Sequence, residues 1–282
     1  MFDGEVSPWP YALYRMAIAA VVLVRTTDVL RPLLPLLHHA WVAGLEYDPR
    51  VEKVAPPALR SPLVPGLTIP DALALVLVWA RTILAALLLL GVRVRTVAFA
   101  LMVVGLGLMA ADRYRYFHHI LLLYVGVGWL ALAPGADRLG VMQLGHRRWH
   151  AEAWVPRWPL QLMRLFTMSV YLAAGTAKLS SDWLSGKTLA QLTALGLVGG
   201  RPWQWLVAHV GASPLAIGIA GAELGLPVLL AAPRTRLGGV VLGVALHAGI
   251  STAMSVSTFG VEMVLLLSLF LPWPERAAAR AT

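Results

Sequence analysis

Long apolar runs separated by short polar or basic punctuation set the pattern of this chain. They lie at 10–30, 71–91, 95–112, 117–134, 160–179, 214–232, 236–254 and 257–273. None shows the strict apolar–polar alternation of a barrel strand, so each predicts a helix. Several approach the ~20 residues needed to cross a bilayer. The expected fold class is all-α, a polytopic membrane helix bundle of about eight transmembrane helices, with seven to nine as the range. A further stretch, 188–210, reads as an interfacial element.

The connections fit that picture. The longest, 31–70, is Pro-rich, holds Trp41 and Tyr47, and is too apolar for a flexible linker, which places it at the membrane surface. The loop at 134–160 contains "GHRRWHAEAWVPRWP", a basic and Trp-rich composition suited to an interface. No repeat recurs at a fixed period. The expectation is a single membrane-embedded domain over 1–282 without a separate soluble domain. The opening "MFDGEVSPWP" has Asp3 and Glu5 but no Lys or Arg, unlike a cleavable signal peptide, so the first run is expected to be retained. Basic residues nearly balance across the loops, but "PRTR" and the tail carry arginines where "SVST" carries none. Both termini are therefore expected in the cytoplasm.

Composition strengthens the membrane reading. The chain is 59% hydrophobic and 13% charged, against roughly a quarter charged in soluble domains. The net charge of +9 is spread over run ends such as "GVRVR", "DRYRY" and "APRTR". That distribution fits topology signals and lipid head groups, and argues against nucleic acid as a partner. With no cysteine, disulfides, thiolate metal sites, Fe–S clusters and Cys nucleophiles are excluded.

Ionisable groups within apolar runs cost roughly 2.5–3.5 kcal/mol each on insertion scales, so each needs a reason. Arg15 and Arg164 lie near the inner ends of their runs and are expected to snorkel. Arg25 and Asp28, three apart, are expected to pair. Arg81, in the middle of "LVWARTILAA", calls for a buried partner such as Glu223 or Glu262. If the runs cross in turn, His119, Lys178, Glu223 and His247 converge on one leaflet, with Glu223 roughly 13 Å deep. Bland alternatives stand beside this: Lys178 at a helix end with Asp182 one turn on, His119 as an interfacial histidine, Glu223 and His247 as links between helices, or His119 and His247 as axial haem ligands. His146 and His150 are four apart but have no carboxylate nearby, so no metal site is assigned.

The segment "YLAAGTAKLSSDWLSG", residues 171–186, resembles the Tyr-x-x-Ala-Gly-x-x-Lys-Leu-x-x-Asp-Trp-x-x-Gly stretch of the vitamin K-dependent γ-glutamyl carboxylase family, whose membrane part is the HTTM domain. "FHHILLLYVGVGWLAL" is similar to that family's Asn-His-x-Tyr-Leu segment, with His118 where Asn is usual. "AGAELGLPVLLAAPRTR" and "LHAGISTAMSVSTFGVEM" resemble its later spans. By this resemblance Lys178 is the base that deprotonates reduced vitamin K, or menaquinone in a bacterial member, and His119 stabilises the oxygenated species. Oxygen and carbon dioxide are the implied co-substrates, and glutamate of a peptide is the carboxylated group. A lysine acts as a base only when neutral, the form an apolar environment favours. Glu223, His247, Tyr171, Asp182, Trp183 and Arg81 are the expected substrate- or quinone-binding set. The animal carboxylase continues into a lumenal domain that grips its protein substrate, and nothing here follows the last run at comparable length. Short bacterial members resemble factors that mature exported peptides. The two expectations are a quinol-dependent enzyme acting at the outer face of a bacterial cytoplasmic membrane, and a non-enzymatic accessory or immunity factor for an exported peptide. Partners would be lipid, quinone, and a peptide substrate or partner protein.

Overall fold

A computed structural model describes residues 3–30, 59–60, 68–69, 71–111, 118–141, 154–254 and 258–276. Among these the chain is all-α apart from two-residue strands, with eleven α-helices. The Pro-rich stretch at 31–58, His146, His150 and most of the basic Trp-rich loop lie outside the described residues, as does the side chain of Asp28. The chain divides into two compact units, Glu5–Pro159 and Leu160–Thr282, the latter with Met1–Gly4.

The first unit holds α1 (Trp9–Leu30), α2 (Asp71–Leu90), α3 (Val94–Ala111) and α4 (His118–Gly128), the last continuing as a 3-10 turn over Trp129–Leu132. Successive helices pack on one another, and α1 also touches α4. The antiparallel pair β1 (Glu5–Val6) and β4 (Val155–Pro156) brings the ends of the unit together, and Tyr11 Oη donates to the Pro156 carbonyl at 3.3 Å. A second small pair, β2 (Leu59–Arg60) with β3 (Thr68–Ile69), precedes α2.

Arg15 does not snorkel. Its side chain is fully buried and donates from Nη1 to the carbonyls of Leu88 (2.9 Å) and Leu89 (3.2 Å), and from Nη2 to that of Arg138 (3.1 Å). The last carbonyls of a helix lack intrahelical donors and carry the negative end of its dipole. Arg15 supplies both the donors and the charge at the end of α2, so its guanidinium points into protein rather than out to head groups.

The second unit comprises α5 (Trp158–Ala177, which begins in the last residues of the first), three short helices α6 (Ser181–Leu184), α7 (Lys187–Ala194) and α8 (Arg201–Val210), then α9 (Ala212–Ala231), α10 (Arg236–Ala253) and α11 (Phe259–Ser268). A two-residue strand β5 (Glu275–Arg276) follows. Buried positions on α9 are Ala216, Ala220, Glu223, Leu226 and Leu230, one stripe at three- and four-residue spacing. α10 presents Gly239, Val240, Gly243 and His247, and α11 presents Gly260, Glu262, Met263, Leu266 and Leu267. The glycines set the spacing: a Cβ on Gly243 would stand 2.7 Å from Leu267 Cδ1, and one on Gly239 3.0 Å from Leu229 Cβ. Helices that approach through small residues gain van der Waals contact that lipid cannot replace.

Arg164 repeats the device of Arg15. It is buried, donates from Nε to the Leu269 carbonyl at 2.9 Å, pairs with Glu275 at 3.2 Å and lies over the Phe270 ring. It closes the end of α11 instead of reaching a membrane surface.

The observed helices follow the expected runs closely at their edges. The stretch at 188–210 is not one element: it folds as α7 and α8, separated by a turn at 195–200. α9 and α10 are long and apolar enough to cross a membrane, while Val76–Leu90, Val94–Ala110, His119–Leu132 and Phe259–Ser268 are shorter apolar helical stretches. In α5, Gln161, Arg164 and the hydroxyl residues Thr167, Ser169 and Thr176 interrupt the apolar sequence.

Candidate functional site

The segment that carries the lysine builds the site step by step. Tyr171 and Ala174 on α5 and Lys178 just past its end recur at three and four residues and so share a face, and Gly175 adjoins it. Gly175 meets α9 directly, because a Cβ there would lie 2.7 Å from Leu224 Cγ and 3.0 Å from the Leu224 nitrogen. That close approach brings the residue before Leu224 within reach of α5. Lys178 Nζ stands 2.7 Å from Glu223 Oε2, with the glutamate almost wholly buried and the lysine partly so. Nζ also lies 3.3 Å from the Ala174 carbonyl and 5.3 Å from the centre of the Trp183 ring. The three interactions hold the cation at the end of α5.

Beyond Lys178 the chain turns sharply. Ser180 caps α6 by accepting from the Trp183 amide at 3.3 Å. The Trp183 indole donates to the Ala216 carbonyl at 3.0 Å, and Ser213 Oγ donates to the Leu184 carbonyl at 2.8 Å, so the last two residues of α6 are tied to the start of α9. Gly186 then adopts φ +78, and a Cβ there would meet Ser213 N at 2.5 Å. A left-handed backbone against another chain segment leaves room for glycine alone. The Lys-Leu-x-x-Asp-Trp-x-x-Gly spacing is thus a turn that packs onto α9 and positions the lysine.

Two turns before Lys178, Tyr171 Oη and His247 Nε2 are hydrogen-bonded at 2.8 Å, both side chains buried. The Phe259 ring meets the imidazole edge-on at 5.3 Å. His247 Nδ1 is buried without a hydrogen-bond partner. A buried, unsatisfied nitrogen is costly, and such atoms concentrate where a ligand or water completes the set.

The expected residues therefore separate. Lys178, Glu223 and Trp183 form one cluster, and Tyr171 with His247 another, all on the same unit. Asp182 does not pair with Lys178: it is exposed and pairs with Lys187 at 3.3 Å, and Glu223 takes the place expected of it. Arg81 and His119 belong to the first unit. Arg81 Nη1 donates to Tyr124 Oη at 3.3 Å, and His119 stands half-buried in the first turn of α4. Glu262, the other candidate partner for Arg81, accepts from Thr258 Oγ1 at 2.6 Å.

Sequence reading passed over two contributors. Gly175 was visible only as part of a motif, though glycine beside a buried lysine is a signal of close helix approach. Pro227 lies inside α9, four residues after Glu223, and has no N–H to close the helical bond to the Glu223 carbonyl. The spacing Glu-x-x-x-Pro was legible as an interruption of the helix backbone next to its one carboxylate.

A helical unit that holds a lysine–glutamate pair and a tyrosine–histidine pair, and two of whose helices are long and apolar enough to cross a membrane, defines the class, an all-α protein with a polar site among apolar helices. The family can also be stated. The model of the HTTM domain matches residues 33–273, and the chain belongs to that family. No curated protein and no solved structure matches it.

Proposed function

We propose that the chain is a membrane-embedded, quinol-dependent carboxylase-like enzyme. Reduced vitamin K or menaquinone would serve as cofactor, oxygen and carbon dioxide as co-substrates, and a peptide or small molecule at the outer membrane face as acceptor. The observation that carries this reading is the Lys178–Glu223 pair at 2.7 Å, held by the close helix approach at Gly175. A structural helix end would be served by a lysine facing water. Here the carboxylate is buried beside it, and membership of the HTTM family supports the same assignment.

The residues present fit a quinol. Tyr171, the unpartnered His247 Nδ1 and Lys178 offer polar contacts among apolar helices, which matches a ring bearing oxygens at its edges and an apolar tail. When bound, the quinol supplies the reducing power that oxygen draws on to make a strong base. Base chemistry at Lys178 needs the neutral amine, and Glu223 at 2.7 Å holds Nζ in place for it. Trp183 flanks Nζ and limits the water around it. Tyr171 and His247, fixed against each other by their hydrogen bond, would hold and orient the quinol. His119 is kept as the stabilising group by resemblance, Arg81 as a further polar group of the first unit. Asp182 is better assigned to the surface of the turn, given its pairing with Lys187. The whole reading places about eight spans in a bacterial cytoplasmic membrane with both termini inside.

The second reading is a non-enzymatic accessory, maturation or immunity factor for an exported peptide. It is favoured by the Lys178–Glu223 pair itself, which joins α5 to α9 as a contact between helices. Quinone co-purification separates the two. Organic extracts of the purified wild type are expected to contain menaquinone in near-stoichiometric amount, and those of His247→Leu several-fold less. Equal, trace quinone in both preparations would remove the enzymatic reading and favour the accessory one.

A further inference from the structure

The turn after Lys178 does more than position the lysine. α6, α7 and α8 gather where three longer helices of the unit end. α5 stops at Ala177, just before α6. α9 starts at Ala212, one residue after α8, and is bonded to α6 through Ser213 and Trp183. α10 ends at Ala253, whose carbonyl accepts from the Gly199 amide at 2.7 Å, immediately before α8. The short helices therefore form a collar at one level of the unit.

The inner face of this collar is packed. Leu189, Val198 and Trp203 are buried with Ala216 of α9, and Trp203 Nε1 donates to Thr193 Oγ1 at 3.0 Å, fastening α8 to α7. The outer face is apolar and unpartnered. Trp205 follows Trp203 by two residues, hence roughly 200° round the helix, and is 59% exposed; Leu195 and Leu197 are 63% and 52% exposed. Trp205 stacks on His209 one turn later with centroids 4.6 Å apart, so its ring is held outward. Arg201 and His209 lie exposed on the same collar, as do Lys187 and its ion-pair partner Asp182.

We infer that this face lies in the head-group layer of the bilayer that α9 and α10 cross, with Trp205, Leu195 and Leu197 reaching the acyl boundary. The inference rests on the membrane-spanning part of the proposed function. The chain itself argues for lipid: Val210 at the end of α8 and Ile217 and Val228 of α9 are exposed, while the polar side chains between them, Ser213 and Glu223, are engaged with the Leu184 carbonyl and Lys178. Tryptophan prefers this level of a membrane, and basic residues beside it suit phosphate head groups. The collar then fixes the depth of Lys178, which stands at its start. A lipophilic partner reaches the amine from the hydrocarbon, and a water-soluble one from the aqueous side.

The chain contains no cysteine, so single-cysteine variants need no background change. Leu195→Cys, Leu197→Cys and Trp205→Cys would be spin-labelled in nanodiscs of anionic and zwitterionic lipid, beside Val228→Cys and Val241→Cys on the exteriors of α9 and α10. Collision with oxygen and with a water-soluble nickel chelate gives the depth of each label. At the three collar sites, nickel access is expected to be several-fold below that of free label in buffer, yet above that at Val228 and Val241. Nickel access at the collar equal to free label, with Val228 and Val241 still protected, overturns the collar and leaves the spans intact. Free access at all five sites overturns the spanning reading and the collar with it.

Discussion

The lysine and glutamate at the centre of the account depend on each other. Removing one partner of a buried pair leaves an uncompensated charge, whereas removing both does not. Lys178→Ala and Glu223→Ala are each expected to lower the stability of the purified protein, with the double variant less destabilised than the sum; the coupling should be about 0.5–3 kcal/mol, the range for directly contacting residues. Additive losses in a thermal double-mutant cycle would place the pair too far apart to matter. Tyr171→Phe is expected to cost about 1–3 kcal/mol by leaving a buried imidazole without its hydrogen-bond partner. An unchanged melting temperature would contradict that bond. At this scale the sequence was informative about which residues matter and poor about their partners. Lys178, Glu223 and His247 stood out because ionisable groups in apolar runs are costly. Arg15 and Arg164 were misjudged, and Asp182 was given Lys178 as its partner instead of Lys187, because position along a run gives depth, while the direction of a side chain depends on which neighbouring element lies nearby.

Helices are placed by the edges of the apolar runs, and those edges were legible. The expected run at 236–254 is α10 at Arg236–Ala253, and that at 71–91 is α2 at Asp71–Leu90. Contacts between helices were less legible, because a glycine says that something approaches closely but not what. Gly175 illustrates this: its neighbour, Leu224, is far away in sequence. Gly175→Val is expected to push α5 from α9, break the Lys178–Glu223 pair and destabilise by about 1–3 kcal/mol, the usual cost of overpacking. A Gly175→Val protein with wild-type thermal stability would show that the helices are not in contact there. Arg15→Leu tests helix capping in the other unit. It strips donors from the carbonyls of Leu88, Leu89 and Arg138, and hydrogen bonds to a charged group are worth about 1.5–3 kcal/mol each. A large fall in the yield of folded protein is the expected outcome, visible by size-exclusion chromatography; an unaltered profile would return Arg15 to a snorkelling role.

For the whole molecule, membership of the HTTM family accounts for the apolar composition, the basic run ends and the motif around Lys178 together. The all-α class followed from run length and the absence of alternation, since backbone groups in lipid must be satisfied within a helix or a closed barrel. The number of crossings did not follow so directly. Runs such as 160–179 mix span-length apolar stretches with Gln161 and Arg164, and composition weighs those residues as polar even where the protein buries them. The central claim is that Lys178 acts as the base of a quinol-dependent reaction. Its most direct test is quinone epoxide formation, followed by mass spectrometry, with purified protein in lipid supplied with reduced menaquinone, oxygen, bicarbonate and glutamate-containing peptides. Epoxide from the wild type, lost in a Lys178→Ala protein that still inserts and folds, is the predicted result; epoxide at an equal rate from both would contradict it.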